Sequence, residues 1–199
     1  MKIPRHLEFS VNGERYIFRN IFPQDVDMDY VNALRKERLF IENRTDDITI
    51  EYQQKYINSI LESESDTICG LFSGSKLIGT AGIQNLSCDH SKNRKMKMAV
   101  GSTYNTTVGI FILSDLMKGK GYGKILLWAS CYLSYCQFGT ISIEASMLRQ
   151  NVSSRKVFLA CGFKISAESE AGFNLKLKVD TELVKPECIK RPVVLNENN

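Results

Sequence analysis

The chain is poor in the residues that build metal centres. It holds two histidines, His6 and His90, and its six cysteines (Cys69, Cys88, Cys131, Cys136, Cys161 and Cys188) form no C-x-x-C pair. Zinc spacing is therefore missing, and no metal is expected. Cys136 and Cys161 fall on the apolar faces of expected helices, where a free thiol packs as a small apolar group, so reduced cysteines are expected. No apolar run reaches membrane-spanning length, and the opening Met1-Lys2-Ile3-Pro4-Arg5-His6 lacks the apolar core of a secretory signal. The expectation is a cytoplasmic protein without a membrane partner. Repeats, coiled-coil heptads and low-complexity tracts are also missing, as is any linker that would divide the chain. What remains is ordinary globular material: 199 residues, 43% hydrophobic and 24% charged, enough for one domain with a sizeable core. The net charge of +4 is mild. It fits an acidic ligand, and no nucleic-acid partner is expected. We place one domain at 1–180 and a loosely held tail at 181–199, which has two prolines and ends in Asn196-Glu197-Asn198-Asn199.

Along the chain, Tyr16 to Ile21 reads as a first strand. Pro23-Gln24-Asp25 opens a helical stretch to about Leu34, with proline where its missing N–H is harmless. Ile48 to Leu61 is a second helical pattern, with Tyr52, Tyr56, Ile57 and Ile60 on one side. Thr67 to Ser73 and Lys76 to Gln84 form a hairpin around Gly74-Ser75. A polar excursion, Asn85 to Asn105, follows. Thr106 to Leu113 is β-rich. Lys124 to Phe138 repeats Ile125, Trp128, Ala129, Tyr132 and Cys136 at helical spacing. A strand at Thr140 to Met147, a helix from Asn151, and strands at Phe163 to Ala167 and Phe173 to Val179 complete the order β-α-α-β-β-β-α-β-α-β-β.

Between the Thr106 strand and the Lys124 helix lies Lys118-Gly119-Lys120-Gly121-Tyr122-Gly123. A glycine-rich turn feeding a helix suits an anion, because backbone without Cβ atoms can close around it and first-turn N–H groups point at it. A phosphorylated ligand is expected. The dinucleotide fingerprint G-x-G-x-x-G fails, since its third glycine would fall at Lys124 or Leu126. A P-loop fails as well, because Lys118 stands where a glycine is needed and Ile125 where Ser or Thr is needed. Further on comes Asn151-Val152-Ser153-Ser154-Arg155-Lys156-Val157-Phe158-Leu159-Ala160-Cys161-Gly162-Phe163. Asn151 is a good N-cap with Ser154 at N3, and Gly162-Phe163 makes a helix stop followed by an apolar contact.

Together these two segments resemble motifs of the GNAT superfamily of acetyl-CoA N-acetyltransferases. Lys118 to Gly123 resembles its Arg/Gln-x-x-Gly-x-Gly/Ala pyrophosphate loop. Asn151 to Phe163 resembles the Asn-x-x-Ser … Gly-Phe signature of the branch that holds ribosomal-protein N-terminal and amino-sugar acetyltransferases. The resemblance runs from about Tyr16 to Val179. It implies an α/β (α+β mixed sheet) GNAT fold, with a central mixed sheet of about six to seven strands flanked by about four helices. It further implies acetyl-CoA as donor and two parallel strands, Val108–Leu113 and Ile141–Met147, that splay apart around the pantetheine arm. Phe111, Ile112 and Leu113 are the backbone partners expected there. Gly119, Gly121, Tyr122, Gly123 and Lys124 would offer N–H groups to the pyrophosphate. Lys118 and Lys120 would face a phosphate or solvent.

The chemistry is transfer of acetyl from sulfur to an amine. It needs a donor for the developing oxyanion and a proton for the departing thiolate. The tyrosine that many members use as acid is replaced here by Phe158. By the Asn-x-x-Ser match, Ser154 is the candidate acid, and Asn151 positions the thioester or caps its helix. The base is less defined. His90, beside Asp89, titrates in a useful range, and Glu144 faces the cleft or turns away from it depending on register. On the acceptor side, Lys92, Arg94, Lys95 and Lys97 suit a diphosphate, an acidic protein or solvent. Phe22-Pro23-Gln24-Asp25-Val26 with Tyr30-Val31 resembles members that acetylate nucleotide-linked amino sugars. The expected function is acetylation of a small-molecule primary amine, an amino-sugar nucleotide being favoured. Acetylation of a protein N-terminus or lysine, and a CoA-binding module without catalysis, stay open. A homodimer is an allowed assembly.

Overall fold

A computed structural model describes residues 6–36, 48–86 and 106–194. Nine strands form one sheet in the order β7-β8-β6-β5-β4-β3-β2-β1-β9. They are β1 (His6–Val11), β2 (Glu14–Asn20), β3 (Thr67–Ser73), β4 (Lys76–Gln84), β5 (Thr106–Ile112), β6 (Ser142–Leu148), β7 (Lys164–Glu168), β8 (Gly172–Lys178) and β9 (Ile189–Val194). The helices are α1 (Met28–Lys36), α2 (Ile50–Leu61), α3 (Tyr122–Phe138), α4 (Val152–Ala160) and a single turn, α5 (Val179–Glu182). All neighbouring strands are antiparallel except β5 and β6. The expected mixed sheet with flanking helices is present, and it is two strands wider than expected.

Both extra strands extend one edge. β1 alternates buried Leu7, Phe9 and Val11 with half-buried His6, Glu8 and Ser10, and the turn to β2 is Asn12-Gly13, both at positive φ (51° and 89°). Asn-Gly between alternating runs is a strong hairpin signal, because both residues accept the left-handed backbone a tight turn needs. The chain expected to be a loose tail supplies β9. It pairs with β1, and Ile189 is fully buried. Pro192 sits where the β1–β9 register shifts, on the outermost strand, the kind of place where a missing N–H breaks no ladder.

α1 and α2 cover one face of the sheet, packing Tyr30, Val31, Leu34 and Ile57 with Phe72, Ile68, Leu77 and Phe111. α3 covers the other face, against Leu71, Ile78 and Ala81. The expected continuous helix from Pro23 is interrupted. Pro23–Asp25 is a 3-10 turn, and α1 starts afresh after Asp27, whose carboxylate accepts the Tyr30 N–H at 2.8 Å. Asp25 instead turns back to Arg19 in two bonds (2.7 and 2.9 Å) and to the Phe22 N–H (2.8 Å). Arg19 also lies 3.9 Å from the Phe72 ring centroid. α2 is capped by Thr49, which accepts the Tyr52 N–H at 3.1 Å.

α3 departs from the amphipathic pattern expected of it. Ile125 to Cys131 is buried without a break, whereas Cys136 is exposed. The helix runs between the sheet, α4, α5 and β9, so it has little solvent face over its first turns. Ser130 and Ser134 tolerate this by donating to the Leu126 and Ser130 carbonyls at 2.7 and 2.8 Å. None of the five described cysteines is in a disulfide. Burial pushes Cys161 up to about 12 and Cys131 well above its usual value, which keeps both thiols protonated.

Candidate active site

The parallel pair β5 and β6 stays together for two residue pairs, Thr106 with Ile143 and Thr107 with Glu144. Beyond them β5 follows β4 alone and β6 follows β8 alone. The two strands thus part in mid-sheet, leaving backbone edges that face each other without a ladder. Buried backbone polar groups need partners, so this gap suits an extended ligand that bonds to strand edges. A cavity of about 570 Å³ occupies it, with walls from β5, β6, the start of α4 and the α1/α2 layer.

Strand alternation decides which β5 groups face the gap. The Leu113 N–H donates to the Ile78 carbonyl at 3.1 Å, toward β4, and the Phe111 carbonyl oxygen lies against Gly79. Ile112, and by the same alternation Ile110, turn their main-chain groups the other way. Of the three residues expected at the gap, Ile112 faces it, Phe111 and Leu113 pair inward, and Ile110 joins it.

The glycine turn follows at the open end of β5. Gly119 and Gly121 have φ of +75° and +88°, and a Cβ at either would meet nothing within 4 Å. Such angles are strained for residues with a side chain, so glycine here serves the backbone path. Gly123 is not required in this way: a Cβ there would sit in ordinary contact with Val157 at 3.4 Å, where α3 crosses α4. Tyr122 and Gly123 begin α3 and have no acceptor inside the helix. The Lys124 N–H donates to the Gly121 carbonyl at 3.0 Å, which closes the turn. The Tyr122 ring points away from the turn toward the β1–β2 hairpin, its hydroxyl 3.2 Å from that of Tyr16. Burial first, then this contact and Glu14, raise Tyr16 above its ordinary value, so Tyr16 keeps its proton and braces the hairpin. Lys118 pairs with Asp115 at 3.0 Å, and Asp115 also pairs with Lys36 at the end of α1. These two lysines, Lys36 first, hold the Asp115 carboxyl below its usual range. Lys120 is exposed.

α4 brings Asn151, Ser154 and Phe158 to the cavity. Asn151 is the N-cap, its Oδ1 accepting the Ser154 N–H at 3.1 Å. The Ser154 hydroxyl makes no hydrogen bond with a described residue, and the residue is half-buried. Phe158 is buried against Phe163 (ring centroids 4.9 Å apart) and supplies no proton. Glu144 does not line the cavity; it pairs with Lys176 of β8 at 3.1 Å. His90, Asp89, Lys92, Arg94, Lys95 and Lys97 lie outside the described residues.

Beside Tyr30, named with the Phe22–Val26 resemblance, the wall takes residues that sequence reasoning did not single out: Leu34, Asp66, Thr80, Gln84 and the glycines Gly82 and Gly109. No motif marks them. They converge because strand register and two helices deliver them to one place. Among the described residues no cluster of three or more His, Cys, Asp or Glu is arranged to hold a metal, and no helix is long and apolar enough to cross a membrane.

A parallel pair that parts above a glycine turn, with a mixed sheet between two helical layers, is the arrangement that the GNAT resemblance implies. The family model described as an acetyltransferase (GNAT) domain matches residues 15–164, and the chain belongs to that family. By sequence, no curated protein matches it. Among solved structures it is similar to Mycobacterium smegmatis RimJ in complex with CoA-disulfide, with a TM-score of 0.70, 11% identity, and coverage of 89% of this chain and 90% of that one. It is similar to a ribosomal-protein-S5-alanine acetyltransferase from Vibrio fischeri (0.65, 18%, 86% and 96%). It is also similar to Campylobacter jejuni N-acetyltransferase PseH in complex with acetyl coenzyme A (0.57, 16%, 81% and 98%). At such identities the likeness speaks for the fold.

Proposed function

We propose that this chain is an N-acetyltransferase that carries acetyl directly from acetyl-CoA to a primary amine. The observation that carries this reading is the β5–β6 gap: the ladder ends after two residue pairs, and the strands part on the side of the glycine turn. Ile110 and Ile112 would bond the pantetheine amides as a neighbouring strand does. Gly119, Gly121, Tyr122 and Gly123 would hold the pyrophosphate by backbone N–H groups, each favourable charge–dipole contact being worth about 0.3–1 kcal/mol. Lys124 would contribute through its ammonium, because its N–H closes the turn. Lys118 would reach a phosphate by exchanging Asp115 for it, and Lys120 would add long-range attraction.

Ser154 is the proton donor we assign to the departing thiolate. Its hydroxyl is at the cavity wall, and Asn151 fixes the first turn of α4 that presents it. The neighbour structures that hold CoA-disulfide and acetyl coenzyme A support the donor. A CoA-binding protein without catalysis is the second reading, favoured by Phe158 standing where the family's tyrosine acid would be. Calorimetry with CoA and thiol release from acetyl-CoA with a panel of amines test both. Binding with turnover is expected. Binding without turnover selects the second reading, and no heat at millimolar CoA removes both.

A further inference from the structure

Just past the fork of β5 and β6, one row of the sheet lacks side chains on the α1/α2 face. The last parallel pair is Thr107 with Glu144. Two residues further along β5, the next residue on the same face is Gly109. Gly109 pairs with Gly82 of β4, and Gly82 pairs with Ile68 of β3. Rows with side chains lie on either side: Thr107 with Gln84 before it, Phe111 with Thr80 after it. Phe111 and Ile68 pack toward α1 and α2, which fixes the face. The glycine row is thus a trough that starts beside the fork and ends at the Ile68 side chain.

Two other glycines of the sheet are there because packing demands them. A Cβ on Gly70 would fall 2.6 Å from Leu77 and 2.7 Å from both Ile21 and Phe72; one on Gly79 would fall 2.5 Å from the Phe111 carbonyl oxygen. A Cβ on Gly82 or Gly109 would meet nothing within 4 Å, and neither residue has positive φ. Packing and backbone path therefore leave both positions free to hold a larger residue, and glycine weakens a strand interior relative to alanine. Both line the cavity. A glycine inside a strand often marks a place where a ligand comes close to the backbone.

We propose that this trough receives the acyl group of the donor, and that unbranched propionyl and butyryl groups are transferred at least as well as acetyl. The proposal rests on the acetyl-transfer reading and widens its donor range. A pantetheine arm lying between β5 and β6 ends where the strands meet, so its thioester arrives beside Gly109. From there the floor to β4 spans one strand separation, about 5 Å. That is the reach of about three C–C bonds of about 1.5 Å. Acetyl has one such bond beyond its carbonyl and leaves the β4 half of the trough empty; butyryl has three and fills it. The walls suit an uncharged chain, since Phe111 forms one side and Tyr30, Leu34 and Ile60 line the same cavity from α1 and α2. Ile68 stands at the far end and limits length. The bond changes are those of acetyl transfer: the neutral amine nitrogen bonds to the carbonyl carbon, the C–S bond breaks, the nitrogen loses one proton and the departing sulfur gains one.

Acyl transfer from acetyl-, propionyl-, butyryl- and hexanoyl-CoA to the panel amine that releases thiol fastest from acetyl-CoA tests this, together with calorimetry of the four thioesters on the protein without amine. From acetyl to butyryl, kcat/KM is expected to hold or rise, and it should fall at least tenfold at hexanoyl. Affinity should rise from acetyl to butyryl by about fourfold for each methylene taken out of water. Gly82→Val places its side chain in the β4 half of the trough and should shift the butyryl-to-acetyl ratio of kcat/KM at least tenfold toward acetyl. Gly82→Ala should shift it the same way by less, and Tm with the affinity for free CoA reports whether each variant keeps its fold. A kcat/KM that falls from acetyl to propionyl and again to butyryl overturns the trough and leaves acetyl transfer intact, as does a donor preference that neither variant moves. Tighter binding of butyryl-CoA than acetyl-CoA, lost in Gly82→Val and without turnover, upholds the trough and removes acyl transfer. Equal affinity for all four thioesters without turnover overturns both.

Discussion

The two sides of the cleft are made of different material. On the side proposed for the coenzyme the available groups are main chain: strand edges exposed where β5 leaves β6, and a turn whose glycines hold φ values near +80°. The opposite wall of the cavity is made of side chains gathered from α1, α2, β3, β4 and β5. A main-chain site is written in one short stretch and depends little on which apolar residues flank it. A side-chain site has no local spelling and can be retuned one residue at a time. The same fold can therefore keep one coenzyme and change acceptors.

The comparison can be broken at several points. The largest effect is expected from Ser154→Ala, which should lower kcat about 10²-fold, within the usual worth of acid–base help, and leave CoA affinity within about threefold. A near-normal rate would remove Ser154 from the chemistry and leave α4 a purely structural wall. Gly121→Val comes next. A β-branched residue at φ +88° is strained, at a cost of about 1–2 kcal/mol, and displaces the turn; CoA affinity should fall at least tenfold while KM for the amine holds. Unchanged affinity by calorimetry would show that the turn is not the anion site. Lys120→Ala should weaken CoA by about two- to fivefold, the worth of one exposed favourable charge of about 0.3–1 kcal/mol, and raised salt should erase the difference.

The smallest effect concerns the acceptor side and acid. Burial pushes the Asp25 carboxyl up, but Arg19 and the Phe22 N–H outweigh it and hold it below the ordinary 3.8. A depressed carboxylate contributes stability above its unfolded value and loses it as pH falls through the folded one. Thermal stability should therefore drop on acidification below about pH 4, and Asp25→Asn should flatten that limb of the curve. Amide exchange at Phe22 should quicken there before exchange in β3 does. An identical acid limb in the variant would show that this pair contributes nothing.

How much was legible follows the same division. The β3–β4 hairpin appears at its expected bounds, because Gly74-Ser75 stands between two β-rich runs. The glycine turn, the Asn151 cap and the Gly162 stop are equally local, and all three form. Three features escaped for different reasons. β1 is legible in the Asn12-Gly13 turn between two alternating runs, although the expected strand order starts only at Tyr16. β9 carries a proline and gains its place from β1, about the full chain away, which no local pattern records. Cys136 is exposed although helical spacing puts it on the apolar stripe of α3, because the helix is covered round most of its first turns and opens to solvent only near its end. The gap-facing residues were displaced for a subtler reason: which of Ile110 to Leu113 points outward depends on the register with β4. Gly82 and Gly109 become neighbours only through the β4–β5 register, which no local pattern spells.

The β1–β9 ladder joins segments from opposite ends of the described chain. β1 is stitched to β2 by a two-residue turn and to β9 across a very long loop, whose closure is entropically unfavourable. Clipping the chain near Pro186 would strip one seam of the β1 ribbon and leave its other seam, and the whole cleft, untouched. Proteolytic trimming would thus loosen Leu7 and Glu8 while coenzyme capture persists, which makes this edge a removable hem on an otherwise self-sufficient cloth.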